Sequence, residues 1–267
     1  MQLFVFTARP ALARDLVRAG ADGVILDWER RGKARRQQGH DTQINADTPA
    51  DLSVVRAATD GRVLTRINGY GPWTAAEVDE AVARGTDELL LPMVRTPEEV
   101  DRVLDLVAGR VGLGILVETQ AAVRCAAELA ARPLSRLYVG LNDLRIDRGS
   151  TELFAPLVDG TVEAVRSAVT APFGVAGVTV PGGGHPVPTR LLQAELARLD
   201  AGFTFLRRAF LADTGAGTPA DSRGVDLAPA VAAIRAEAAA MRARTGLDVA
   251  RDRADLCQRL DRVLVPA

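Results

Sequence analysis

Residues 112–119 read GLGILVET, and residues 137–143 read LYVGLND. Each is an almost unbroken apolar run that stops on a carboxylate, Glu118 in the first and Asp143 in the second. Strands buried on both faces, as in a parallel sheet covered by helices, need runs of this kind. With their flanks these two predict strands over 111–119 and 136–143. Working outward, six similar runs predict strands over 3–7, 23–27, 62–67, 88–94, 173–180 and 203–210. Amphipathic stretches at 10–20, 49–59, 75–84, 97–108, 120–131, 152–169 and 188–200 predict helices between them.

Helix starts are legible. Thr96-Pro97-Glu98-Glu99 offers a cap, a proline in the first turn and a capping-box Glu99, and Thr48-Pro49 repeats the cap and proline. Gly20 and Gly85 suit helix ends. Eight strand–helix units predict a closed (β/α)8 TIM barrel, with an open doubly wound sheet as the alternative. The 267 residues suffice, since such a barrel takes about 250. The core is expected over 1–225. Residues 226–267 hold two C-terminal helices, about 228–245 and 249–263. One completes the barrel. The extra one either caps its bottom or packs on a neighbouring subunit.

The composition, 48% hydrophobic and 25% charged with a net charge of -1, allows a large core and gives no electrostatic reason to expect nucleic acid. No apolar stretch reaches the length of a membrane span. The opening MQLFVFTARP lacks the basic start of a secretory signal. The two cysteines, Cys125 and Cys257, provide no disulfide framework. The expected location is the cytoplasm.

In a barrel, chemistry gathers where strands end. Those ends offer Thr7, Asp27-Trp28-Glu29, Arg66, Met93, Glu118, Asn142-Asp143, Pro181 with the glycines after it, and Arg207-Arg208. Carboxylates on neighbouring strand ends repel each other, and a divalent cation removes the conflict. Oxygen ligands with so few histidines favour Mg2+ or Mn2+ held by Glu118 and Asp143. Alternatively, each acid caps a helix or pairs with an arginine. Arg66 either clamps a substrate carboxylate or forms a structural ion pair with Asp27 or Glu29. Lys33, the sole lysine, lies in RRGKARRQQGH (residues 30–40). That segment reads as a solvated basic loop, with phosphate or coenzyme A attraction as the alternative. Imine chemistry on a strand-borne lysine is not expected. Gly182-Gly183-Gly184-His185 is either a phosphate loop or a mobile one. DTQIN (41–45) could reach the mouth.

The pieces ADGVILDWE (21–29), RINGYG (66–71), GTDELLLPMV (85–94), ILVET (115–119) and YVGLNDL (138–144) occur in this order at barrel spacing. Over about residues 2–211 the chain thereby resembles the HpcH/HpaI aldolase/citrate lyase family. The resemblance implies a metal-dependent barrel of the phosphoenolpyruvate/pyruvate-binding type, in a homo-oligomer (dimer, trimer or hexamer). It implies Glu118 and Asp143 as metal ligands, Arg66 at the substrate carboxylate and carbonyl, and Glu29 as the acid that orders metal-bound water. It also implies that the backbone over Gly140, Leu141, Asn142 and Asp143 holds the carboxylate of a 2-oxo acid.

The chain departs from that pattern at Arg30, where the hydroxy-oxo-acid aldolase branch has a histidine, and at Ala83, where its partner aspartate falls. Leu116 replaces a glutamine of that branch. Met93 stands where the citrate-lyase-like branch has a lysine. The expected activity is metal-dependent carbon–carbon cleavage or formation on a 2-oxo or hydroxy acid through an enolate. An acyl-CoA lyase of the citryl-CoA or malyl-CoA type and a catalytically silent ligand-binding barrel are the alternatives.

Overall fold

The computed structural model describes residues 1–39, 45–206, 208–218 and 225–264, with side chains described as far as 260. Arg207, His40 and residues 41–44, singled out above, lie outside the described residues. The eight strands are β1 (Gln2–Phe6), β2 (Gly23–Asp27), β3 (Arg62–Arg66), β4 (Glu88–Leu91), β5 (Gly112–Val117), β6 (Arg136–Val139), β7 (Phe173–Val178) and β8 (Phe203–Leu206). They pair in parallel in chain order. β8 returns to β1, with Gln2 opposite Phe203 and Val5 opposite Leu206, so the barrel is closed and the open-sheet alternative fails.

Side chains two apart on a strand share a face. Phe4, Ile25, Leu64, Leu90, Leu116, Tyr138, Phe203 and Phe205 accordingly form one cluster, separate from the core between strands and helices, and fill the barrel interior. Tyr138 stacks on Phe205 with centroids 4.1 Å apart. Its hydroxyl donates to the carbonyl of Ala176 at 2.8 Å, as does the Thr204 hydroxyl. Ala176 sits at a register shift in β7 with φ 54°. Left-handed backbone costs a residue with a Cβ roughly 1–2 kcal/mol, which two buried hydroxyl bonds can offset.

Each end of this apolar plug carries buried charge. At the bottom, Glu88 opens β4 and Arg136 opens β6. Arg136 pairs with Glu88 through Nε–Oε1 at 2.5 Å and Nη2–Oε2 at 2.7 Å. Ser135 Oγ donates to Glu88 Oε1 at 2.6 Å, and Arg62 reaches Oε2 at 3.3 Å. The Arg136 guanidinium lies over the rings of Phe4 and Phe203, 4.6 and 4.8 Å from their centroids. Gly114 makes room for it, because a Cβ there would stand 2.6 Å from Arg136 Cγ. At the top, the same alternation puts Asp27 above Ile25, Arg66 above Leu64 and Glu118 above Leu116.

Most strands end sooner than the sequence suggests, and at β6 and β8 a helix takes over part of the expected strand. β6 stops at Val139 and a helix spans Leu141–Asp147, so Asn142 and Asp143 occupy a first helical turn. β8 stops at Leu206 and a helix spans Arg208–Asp213. In both places an apolar run continues across the boundary and hides it. Thr48 and Asp51 form a full capping box. At Thr96 the hydroxyl accepts from the Glu99 N–H, while Glu99 Oε2 accepts from the Arg95 N–H rather than that of Thr96. The C-terminal helices Ala228–Arg242 and Gly246–Leu264 both lie against the helix Thr189–Arg198. The first buries Val231 and Ile234 and ties Arg235 to Asp22 at 2.7 Å. The second buries Leu256 and Leu260, and its Arg253 pairs with Glu163 at 2.7 Å and Glu195 at 2.8 Å.

Candidate active site at the barrel mouth

A cavity of about 340 Å3 opens at the top of the barrel. Its floor is the aromatic plug, with Phe6, Tyr138 and Phe205. Lys33, Arg66, Glu118, Asn142, Asp143 and His185 border it, and Gly140 gives it bare backbone. Arg208, singled out above, also lines it.

Glu118 follows β5 and is 2% exposed. Its Oε1 accepts from the Met93 N–H at 2.9 Å. Met93 directs that N–H by taking a left-handed turn, φ 56°, just after Pro92. Only glycine fits beside Oε2, since a Cβ on Gly140 would collide with it. Among the described residues no arginine or lysine forms an ion pair with Glu118. Its burial pushes the carboxyl up to about 8, and the charges of Asp143 and Glu29 add to the effect.

Arg66 uses its fork on Asp27, with Nε–Oδ1 at 2.9 Å and Nη2–Oδ2 at 2.7 Å. The structural pairing weighed above is therefore present. Its Nη1 makes no hydrogen bond to a described residue. Asp27 Oδ2 also accepts from Lys33 Nζ and from Asn45 Nδ2, both at 3.0 Å. Burial alone would raise Asp27, but Arg66 and Lys33 outweigh it and hold its carboxyl down to about 2. The Asp27 N–H donates to Asp47 Oδ2 at 2.8 Å, and burial lifts the Asp47 carboxyl to about 6.

The segment after β2 departs most from expectation. It is not a wholly solvated loop. Gly32 turns through φ 70°, and a short helix, Lys33–Arg36, dips into the mouth. Lys33 is 2% exposed, with Nζ 3.0 Å from Asp27 and 3.3 Å from Glu29. Arg36 bridges Glu29 at 2.6 Å and Asp143 at 2.7 Å. The Gln37 amide donates to both Asp143 oxygens at 3.1 Å. Burial works to raise Asp143, yet Arg36 and Gln37 outweigh it and hold it below the usual range. Arg30, Arg31 and Arg35 do stay exposed, and Arg31 stacks on Trp73 at 4.6 Å.

The mouth therefore gathers Arg66, Glu118, Asp143, Asn142 and Gly140, as the sequence suggested. The first-turn N–H groups of Leu141, Asn142 and Asp143 have no acceptor within their helix. Glu29 is 1% exposed and does not border the cavity, because Lys33, Arg36 and Arg66 cover it. The inward reach of Lys33, Arg36 and Gln37 had one sequence signal, the four-residue spacing of Glu29 and Lys33. Nothing local marked Arg36 as the partner of Asp143.

The donor set suits a hard divalent cation. Lys33, Arg36 and Arg66 pair with Asp27, Glu29 and Asp143, and among the described residues Glu118 has no ion-pair partner. Among the described residues no three His, Cys, Asp or Glu side chains form a metal-binding group by themselves. Two carboxylates with water and substrate oxygens completing the shell match the habit of Mg2+. Arg36 and Gln37 would have to release part of Asp143 to such an ion. No described helix is long and apolar enough to cross a membrane.

The profile of the HpcH/HpaI aldolase/citrate lyase family matches residues 1–172. An indole-3-glycerol phosphate synthase of Aromatoleum aromaticum is 32% identical over 160 residues, 57% of this chain and 58% of that protein. A (3S)-malyl-CoA thioesterase of Cereibacter sphaeroides is 30% identical over 133 residues, 49% of this chain and 44% of that protein. The chain thus spans about half the length of the curated relatives it matches. The crystal structure of an HpcH/HpaI aldolase from Desulfitobacterium hafniense superposes with a TM-score of 0.61 at 16% identity, over 83% of this chain and 93% of that one, a likeness of fold. RipC from Yersinia pestis gives 0.57 at 19% identity, over 93% and 98%. With its profile match and this barrel, the chain belongs to the HpcH/HpaI aldolase/citrate lyase family.

Proposed function

We propose that the protein is a divalent-metal-dependent carbon–carbon lyase acting on a 2-oxo acid or the related hydroxy acid through an enolate. The observation that carries this reading is the buried, unpaired Glu118 beside Asp143 at the mouth of the barrel. Glu118 and Asp143 would hold Mg2+ or Mn2+, which when bound acts as a Lewis acid that favours the enolate.

The chain's own residues supply the rest. Nη1 of Arg66 is the donor available to the substrate carboxylate or carbonyl, while Asp27 fixes the plane of the guanidinium. The first-turn N–H groups of Leu141, Asn142 and Asp143 offer the carboxylate a second set of donors, while that of Gly140 is used on the Val117 carbonyl. Glu29 holds Arg36, Lys33 and Arg66 in place. Phe6, Leu116, Tyr138 and Phe205 keep bulk water from the floor of the site, which strengthens each of these interactions.

A second reading, lysis or hydrolysis of an acyl-CoA thioester, draws support from the relative named a (3S)-malyl-CoA thioesterase. Exposed Arg30, Arg31 and Arg35 at the rim suit a phosphorylated tail.

The deciding experiment is deuterium exchange into the methyl group of pyruvate, followed by NMR, with Mg2+ or Mn2+ and then with chelator. Exchange that needs the metal supports the 2-oxo acid reading. No exchange by metal-loaded protein, with turnover of malyl-CoA, favours the thioester instead.

A further inference from the structure

A second cavity, of about 140 Å3, adjoins the first. Leu141, Phe154, Val178, Val187 and Leu192 line it, all nearly or fully buried. The hydroxyls of its two threonines are engaged elsewhere. Thr189 Oγ1 accepts from the Thr179 N–H at 3.2 Å, and the Thr179 hydroxyl donates to Asp213. A water takes about 30 Å3 in the liquid, so the space suits a short aliphatic chain. Leu153, His185 and Ala209 border both cavities and mark their junction.

The loop bearing His185 is built rather than slack. The Gly183 N–H donates to the Val180 carbonyl at 3.0 Å, and the Thr189 N–H to the Gly183 carbonyl at 2.9 Å. Gly184 has φ 94°, and a Cβ there would stand 2.7 Å from both Thr189 N and Val187 O. On Gly183 a Cβ would stand 2.9 Å from Asp213 Oδ2 and from Thr179 Cγ2. Close packing requires these two glycines. His185 is the only histidine among the described residues.

We propose that the side cavity seats the acceptor half of the substrate, an aldehyde with a short aliphatic tail, and that His185 exchanges the hydroxyl proton at the bond made or broken. This rests on the 2-oxo acid reading. In cleavage, the His185 imidazole takes the proton of the hydroxyl on the carbon being released. The O–H electron pair becomes the second bond of the aldehyde carbonyl. The C–C pair passes to the 2-oxo acid half as its enolate, which takes a proton from water, and the imidazolium gives its proton to solvent. Addition runs the same steps backwards, with the imidazolium donating to the new alkoxide.

The test uses the whole chain with Mg2+, and Mn2+ where stated. The sequence has two histidines, so the imidazole NMR spectrum is simple and His185→Gln assigns it. Bound Mn2+ is expected to broaden the His185 signals. With Mg2+ and pyruvate present, butanal is expected to shift them. His185→Gln should keep the thermal shift caused by Mn2+. It should lower aldol turnover about 10²–10⁴-fold and recover in part with added imidazole. Leu192→Phe, which fills the side cavity, should lower kcat/KM for butanal at least about tenfold more than for acetaldehyde.

Absent broadening, turnover by His185→Gln equal to wild type, or an equal effect of Leu192→Phe on both aldehydes would overturn the proposal. Wild-type methyl exchange in pyruvate separates the two failures. If it is absent with metal bound, the 2-oxo acid reading fails and this one falls with it. If it is present while His185→Gln makes aldol product normally, this one fails alone.

Discussion

The barrel has a charged cluster at each end of the same aromatic plug, and the two are built to opposite rules. At the bottom, Glu88 accepts from two arginines and a serine hydroxyl, and the Arg136 guanidinium lies against the faces of Phe4 and Phe203, which meet edge to face. The acid is matched by cations. At the top, Glu118 has the Met93 N–H and no ion pair among the described residues, and a cavity of about 340 Å3 opens over it. Charges inside a protein are tolerated when they are paired and hydrogen-bonded. The bottom cluster meets that condition for Glu88, with only Arg136 Nη1 lacking a partner among the described residues. At the top, Glu118 lacks such a pair among the described residues, and the proposed cation would supply it.

Four predictions sharpen or break this contrast. The largest effect on stability belongs to the bottom. Arg136→Met leaves buried Glu88 with the Ser135 hydroxyl and half-exposed Arg62 as its partners among the described residues and should cost about 3–5 kcal/mol, read from urea unfolding. The folded fraction should still respond to Mg2+. Second, Glu118→Gln at the top should lower metal-dependent exchange by about 10²–10³-fold or more. The same change should raise the melting temperature of the metal-free protein at pH 8–9, because it removes a buried charge. A loss of stability there would place Glu118 with the structural ion pairs.

The third prediction is a stability profile against pH in chelator. Asp27 is depressed to about 2 from 3.8, so its contribution is present above pH 3.8 and lost as pH falls through 2. Glu118 is raised to about 8 from 4.5, so its contribution is full below 4.5 and lost as pH rises through 8. Stability should therefore decline at both ends. Mg2+ should restore the alkaline side, since a cation favours the ionised carboxylate, and its binding should release protons. An alkaline limb unmoved by Mg2+ would speak against a cation at Glu118. The smallest effect concerns Arg36, which competes for Asp143. Arg36→Met should tighten Mn2+ binding about tenfold, equivalent to about 1.4 kcal/mol, measured by calorimetry. Weaker binding would mean that Arg36 helps to assemble the site.

The contrast also explains what could be read beforehand. The strands were legible because parallel strands covered on both faces must be apolar throughout, as GLGILV is. Glu118 and Arg66 were legible because strand ends fix direction as well as position. The ends of β6 and β8 were not, since LNDL and RAFL continue an apolar pattern into helices. Burial of Lys33 and Arg36 was hidden for a different reason. RRGKARRQQ has the composition of a surface loop, and what draws it inward is a set of carboxylates up to 107 residues away in sequence. Local pattern carries no record of such a partner. The position of His185 likewise depends on close packing around Gly183 and Gly184, which the sequence shows only as three glycines.

The most direct measurement is Mn2+ binding to the purified protein by electron paramagnetic resonance, titrated in wild type, Glu118→Gln, Asp143→Asn and Arg136→Met. The top cluster, if it is the cation's place, gives one site per chain in wild type and in folded Arg136→Met, and none in the other two. One site of undiminished affinity in Glu118→Gln and Asp143→Asn, or no site in wild type, would contradict it.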